Sequence, residues 1–300
     1  MSLGYYCGAD CQKACFPSHK IFHKAEGDKF GIAWTLSVAL KAAEDVTALP
    51  GLNEHGEFTV YMLGCRSWIE GDDANLQYKK LHDILKQGIY PTIKKLKVVL
   101  SGPETESSPA SDFGCVRIEQ IQCRAEEIIP RLDFSNAVTA IFQPGFSDFH
   151  DSWKAAIQLL LNKNALTITT GYSHLGSQLT SDAPFDERIL STYYGANILI
   201  PTTPNIARTV DYRGMVKNAY YICFRGVNTA ITPLSRDELL RANQIAFLKD
   251  VSYIAQKIEG NPQLSSRCDR VVQAIESGRS PFALTATLKE IDRYVMLSNF

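Results

Sequence analysis

Apolar and polar positions change their period several times along the chain, and each change marks a predicted element. Residues 30–46 are rich in Ala and Leu and read as a helix that ends before the Pro50-Gly51 loop. EFTVYMLGC (57–65) is instead a run of β-branched and aromatic residues, which predicts a strand ending at Gly64. Leu76, Lys79, Leu81, Ile84 and Leu85 then recur near helical spacing in 73–89, with Gly88 as the stop. IKKLKVVLSGPE (93–104) predicts a second strand running into a Gly-Pro turn. The polar stretch ETESSPASD (104–112) reads as a loop, and the alternating FGCVRIEQIQC (113–123) as a half-exposed strand.

The rhythm then resumes. Strands are predicted over 137–142, 165–169, 196–201 and 218–224, and helices over 150–164 and 181–195. Near-continuous apolar strands alternating with helices predict an α/β fold, a mostly parallel open sheet with helices on both faces. Strands 57–64, 95–101, 137–142 and 165–169 should share that sheet, with Gly102, Pro144 and Gly171 at its carboxyl edge. Beyond Gly226 the pattern is helical, over 235–259, 263–276 and 281–297. Ser235 and Glu238 form a capping box before the first of these helices. Its residues Leu239, Phe247, Val251, Ile254 and Ile258 are expected to face the α/β body. The predicted organisation is a short segment 1–24, an α/β domain 25–230 and a helical tail 231–300 packed on that domain.

Residues 1–24 have a chemistry of their own. In YYCGADCQKACFPSHKIFHK (5–24) the spacing is Cys7-x3-Cys11-x7-His19-x3-His23, and no comparable cluster recurs. Two thiolates and two imidazoles suit zinc. The segment resembles the C-terminal half of a MYND zinc finger: Tyr6, Cys7, Cys11, Gln12, His19 and Lys20 match, Phe16 stands in the place of a Trp, and His23 in the place of the last Cys. A whole finger of that family holds two zinc ions and takes further ligands from the half not matched here. The resemblance therefore implies one zinc at most, held by Cys7, Cys11, His19 and His23. The alternative is a short metal-free helix.

A second resemblance covers roughly residues 55–210. Gly102-Pro103-Glu104, Gln143-Pro144-Gly145 with Trp153, and Thr170-Gly171-Tyr172-Ser173 with Asp182 resemble, in order and spacing, three blocks of the mitochondrial splicing suppressor 51-like C-terminal domain. That domain commonly follows a MYND finger; Gln143 departs from the Asn of its pattern. The blocks fall at predicted strand ends, so Glu104, Gln143, Thr170, Tyr172, Ser173 and Asp182 are candidates to line a ligand pocket at the sheet's carboxyl edge. The competing reading makes Gly and Pro turn formers, Ser173 and Asp182 helix caps, and Glu104 a partner of exposed amides at a helix start.

Composition narrows the function classes. The net charge of −1 supplies no field toward nucleic acid, and the lysines at 94, 95 and 97 lack interleaved aromatics. No apolar run approaches the roughly 18 residues of a membrane span. Five of the eight cysteines are scattered singly, which fits a reducing compartment better than a disulfide framework. The expected location is intracellular, cytoplasmic or nuclear; the family implies mitochondria for some relatives, although no transit peptide is read at the N-terminus. No G-x-G-x-x-G, P-loop or G-x-S-x-G motif is found. Together with the two resemblances, this predicts a non-enzymatic adaptor that binds protein partners, with a role for some relatives in mitochondrial translation. The alternative is an enzyme or small-molecule binder using the sheet crevice.

Overall fold

A computed structural model of the protein describes residues 31–65, 74–174, 183–205, 209–210, 215–257 and 260–278. The strands are β1 (Glu57–Leu63), β2 (Lys95–Gly102), β3 (Ser108–Asp112), β4 (Val116–Gln122), β5 (Ala137–Phe142), β6 (Thr167–His174), β7 (Ala196–Pro204), β8 (Thr209–Val210) and β9 (Met215–Val227). They form one open sheet in the order β3-β4-β2-β1-β5-β6-β9-β7, with β8 paired to β9. The centre, β4-β2-β1-β5-β6, is parallel throughout. The flanking pairs β3–β4, β6–β9 and β7–β9 are antiparallel. The expected α/β architecture is therefore present, and the four strands expected to share the sheet do so in parallel.

The central strands are buried on both faces, which is why their apolar residues run on rather than alternate. One face carries α1 (Gly31–Glu44) and α2 (Ala74–Gly88), whose Leu36, Leu40, Tyr78, Leu81 and Leu85 pack on Phe58, Val60, Leu96, Val98 and Val138. The buried stripe of α2 is Tyr78, Leu81, His82 and Leu85, whereas Leu76 is 45% exposed. The chain after β2 turns one way and the chain after β5 the other. Right-handed crossovers then put α4 (Phe146–Asn162) on the face opposite α2.

Three local expectations differ from the structure. The polar 104–112 stretch contains β3, which pairs antiparallel with β4. The helix expected from 150 begins at Phe146, because Gly145, at φ +60°, is its N-cap and lets the chain leave β5 abruptly. The segment expected as one helix over 181–195 is a short α5 (Ala183–Arg188) continued by a π-type turn, Ile189–Tyr193. Between β4 and β5 lies a four-residue helix, α3 (Ala125–Ile128). On the outer strand β7, Pro201 and Pro204 remove two donors and the Thr202 amide donates to the Glu187 carboxylate at 2.7 Å. A free edge strand is thereby protected from pairing with another chain.

Among the described residues the second compact unit begins at Thr232. Its helices α6 (Arg236–Lys257) and α7 (Pro262–Glu276) form an antiparallel pair joined by a turn at Gly260-Asn261. The capping box is present: the Ser235 amide donates to Glu238 at 2.8 Å and the Glu238 amide donates to Ser235 Oγ at 3.3 Å. Val251, with Leu248 and Ala255, packs against Leu264, Cys268, Val271 and Ile275, and Phe247 borders that cluster. Two amphipathic helices joined by so short a turn bury their stripes on one another first, and Val251 is accounted for in that way. Residues 258 and 281–297 lie outside the described residues.

Candidate functional site

Gly102 ends β2, Pro144 follows β5, and Thr170 pairs with Phe142 at the last rung of the parallel β5–β6 ladder. Gly102, Pro144 and Gly171 therefore share the carboxyl edge. Beyond it β6 continues to His174, paired with β9 among the described residues.

At this edge Gln143 and Thr170 meet. The Gln143 backbone is left-handed, at φ +54°, and its amide donates to the Thr170 carbonyl at 3.2 Å. The Gln143 Nε2 and Thr170 Oγ1 groups donate to one acceptor, Asn218 Oδ1, at 3.1 and 2.8 Å. Asn218 is itself left-handed, at φ +50°, a conformation that Asn tolerates better than most residues. Its carbonyl accepts from Asn205 Nδ2 at 2.8 Å, and the same Nδ2 donates to Thr35 Oγ1 of α1 at 2.8 Å. Thr35, Thr170, Asn205 and Asn218 are buried. The result is a chain of matched donors and acceptors linking the β5 turn, β6, β9 and α1 through the interior.

Asn218→Ala should cost about 3 kcal/mol, because the buried Thr170 hydroxyl and the half-buried Gln143 amide lose their acceptor and a left-handed backbone loses a tolerant residue. Asn218→Gly, which keeps the backbone conformation, should recover part of that loss. Urea midpoints of the two variants separate the contributions.

The other expected pocket residues are dispersed. Glu104 stands exposed in the turn after β2, and β1 separates that strand from β5, so the two turns are roughly 10 Å apart. The neighbouring Thr105 is buried and donates from Oγ1 to the Cys65 carbonyl at 3.1 Å, tying the turn after β2 to the end of β1. Tyr172 is half-buried on β6, and both it and Glu104 have interaction partners. Ser173 pairs with Val216 along the β6–β9 ribbon. Asp182 lies outside the described residues, as do Cys7, Cys11, His19 and His23.

Sequence reasoning missed the partners Asn218, Asn205 and Thr35, and it missed two close approaches. Trp153 of α4 donates from Nε1 to the Pro144 carbonyl at 3.1 Å and lays its ring against Gly64. Tyr220 of β9 crosses Gly171 and donates its hydroxyl to Asp186 at 2.8 Å; Asp186 is a carboxylate only 1% exposed. A Gly beside a large aromatic partner cannot be inferred from spacing. The left-handed Asn in β9 leaves no sequence mark beyond the Asn itself.

In the interior of the sheet, opposite Ile168, burial pushes the Cys223 thiol up to about 12, so it stays protonated at neutral pH. His150 is buried against the edge of Tyr193, the ring centroids 5.7 Å apart. Among the described residues no group of three or more His, Cys, Asp or Glu comes together as a metal site. Among them, too, no helix is long and apolar enough to cross a membrane. Comparison with protein-family models gives no match, and comparison with curated protein sequences gives none either.

Proposed function

We propose that the chain is a non-enzymatic adaptor of intracellular compartments, whose α/β body is a rigid support for protein–protein contacts. The observation that carries this reading is the internal network at the carboxyl edge. Gln143 and Thr170, two of the residues placed to greet a ligand, direct their side chains to Asn218, and Asn205 extends the same network to Thr35. Groups engaged in this way rigidify a fold and leave little capacity to bind or transfer a proton to a substrate. The partner-binding element is the 1–24 segment, as its resemblance to half a MYND finger implies, with one zinc at most. Four donors close a single tetrahedron, whereas two ions would share two ligands each. So short a segment has too little apolar surface to fold without its metal.

The test uses the full chain. Proteins crosslinked to it in intact cells are identified by mass spectrometry, and zinc in the purified protein is measured by elemental analysis. The expected result is one set of partners and about one zinc per chain, both lost on His23→Ala, with the melting of the α/β body unchanged. Partners that survive His23→Ala but disappear with Thr170→Val would move the contact to the sheet edge and overturn the proposal.

A further inference from the structure

In chain order the five parallel strands lie third, second, first, fourth, fifth, so the connections diverge from the gap between β1 and β5. Open α/β sheets receive their ligands at such a gap, because two loops leaving in opposite directions open a crevice outside the strand ends. In this protein a side chain of its own lies there. Gly64, the first residue after β1, has φ +74°, and the Trp153 indole is so near that a Cβ on Gly64 would lie 2.7 Å from Cη2 and 2.8 Å from Cζ2. The Nε1 group, two bonds along the same edge of the indole from Cζ2, donates to the Pro144 carbonyl of the turn after β5. Phe146 meets the ring edge-on, the centroids 6.0 Å apart. One half-buried side chain thus touches both lips of the gap.

We propose that Trp153 is an internal occupant of a ligand seat, a flat bicycle held where a sheet of this strand order would receive a purine nucleoside. Indole and purine are similar in size and shape, and both need the close backbone approach that a glycine at the end of the first strand allows. Glu104 stands exposed in the turn that follows the second strand, on the same edge, where sheets of this order carry an acid for the hydroxyls of a ribose. The lack of a Gly-rich phosphate turn points to a nucleoside rather than a dinucleotide. The inference goes beyond the adaptor reading and is independent of it, because the Trp153 contacts share no hydrogen bond with the Gln143–Asn218 network.

Calorimetric titration of the full chain with adenosine, and separately with indole, decides the matter. Adenosine should bind Trp153→Ala at least about tenfold more tightly than it binds the unchanged protein. Adding Glu104→Gln should reverse most of that gain for adenosine and leave indole binding as it was. Indole binding without adenosine binding would mark a simple cavity, such as any large-to-small change leaves, and would overturn the proposal. Equal adenosine affinity with and without Trp153 would overturn it too. Trp153→Leu keeps the apolar contact needed for folding while clearing the outer ring, and should show part of the gain. A folded Trp153→Leu protein with no gain counts against the seat as decisively as Trp153→Ala would.

Discussion

Gly102→Ala is expected to cost about 4 kcal/mol or more, a large share of the stability of a typical domain. The reason is backbone, not side chain. A Cβ on Gly102 would stand 2.0 Å from the Cys65 carbonyl oxygen and 2.8 Å from its nitrogen. Neither atom can swing aside, because the Cys65 amide donates to Ser101 at 2.9 Å and its carbonyl accepts from Thr105. Making room means separating the ends of β1 and β2, two central strands of the sheet. Gly88→Ala is the matched control: nothing lies within 4 Å of the added carbon, and its backbone is not left-handed. That change should be neutral or slightly stabilising, since it removes freedom from the unfolded chain. Cooperative unfolding in urea, followed by circular dichroism, compares the two. A Gly102→Ala protein as stable as Gly88→Ala would mean that the ends of β1 and β2 are not joined as described.

The contrast between these two glycines measures what a single sequence can tell. Gly88 read as a helix stop and does end α2, although without the left-handed conformation that makes glycine special there. Gly102 read only as part of a turn, yet the fold depends on its having no side chain. Strand identity was legible because burial on both faces leaves an unbroken apolar run, as in Val60–Leu63 and Val98–Leu100. Strand β3 was not, because SPASD is fully exposed and its pairing rests on backbone bonds that no side chain advertises. On α2 the apolar spacing took in Leu76, which is exposed, and passed over Tyr78 and His82, which are buried beside Leu81 and Leu85. At the site, Gln143 and Thr170 were legible as strand-end residues. Their shared acceptor lies 75 and 48 residues away, and Asn205 reaches Thr35 across 170. Pairings at such separations come from the sheet order, which local pattern does not encode.

Gly171→Ala should be nearly as damaging as Gly102→Ala, but for a reason that a second mutation can remove. A Cβ on Gly171 would fall 1.9 Å from the Tyr220 hydroxyl oxygen and 2.2 Å from Cζ, so the tyrosine ring must leave its place. Tyr220 is itself buried on β9, paired directly opposite Gly171, and its hydroxyl donates to Asp186. Displacing it therefore strains the β6–β9 pairing and withdraws a donor from a carboxylate that water scarcely reaches. A buried acid deprived of one hydrogen bond costs about 1–3 kcal/mol by itself, and the steric strain adds to that. Tyr220→Ala alone should also be costly, through the cavity and the same lost bond. Once the ring is gone, however, the alanine at 171 has nothing left to strike. In the Tyr220→Ala background the further change Gly171→Ala should cost less than about 1 kcal/mol, so the two effects fall far short of adding. Chemical denaturation of the four proteins in this cycle reads the coupling directly. Additive effects within about 0.5 kcal/mol would mean that Gly171 is required for its backbone freedom, not for the space that Tyr220 fills on its way to Asp186.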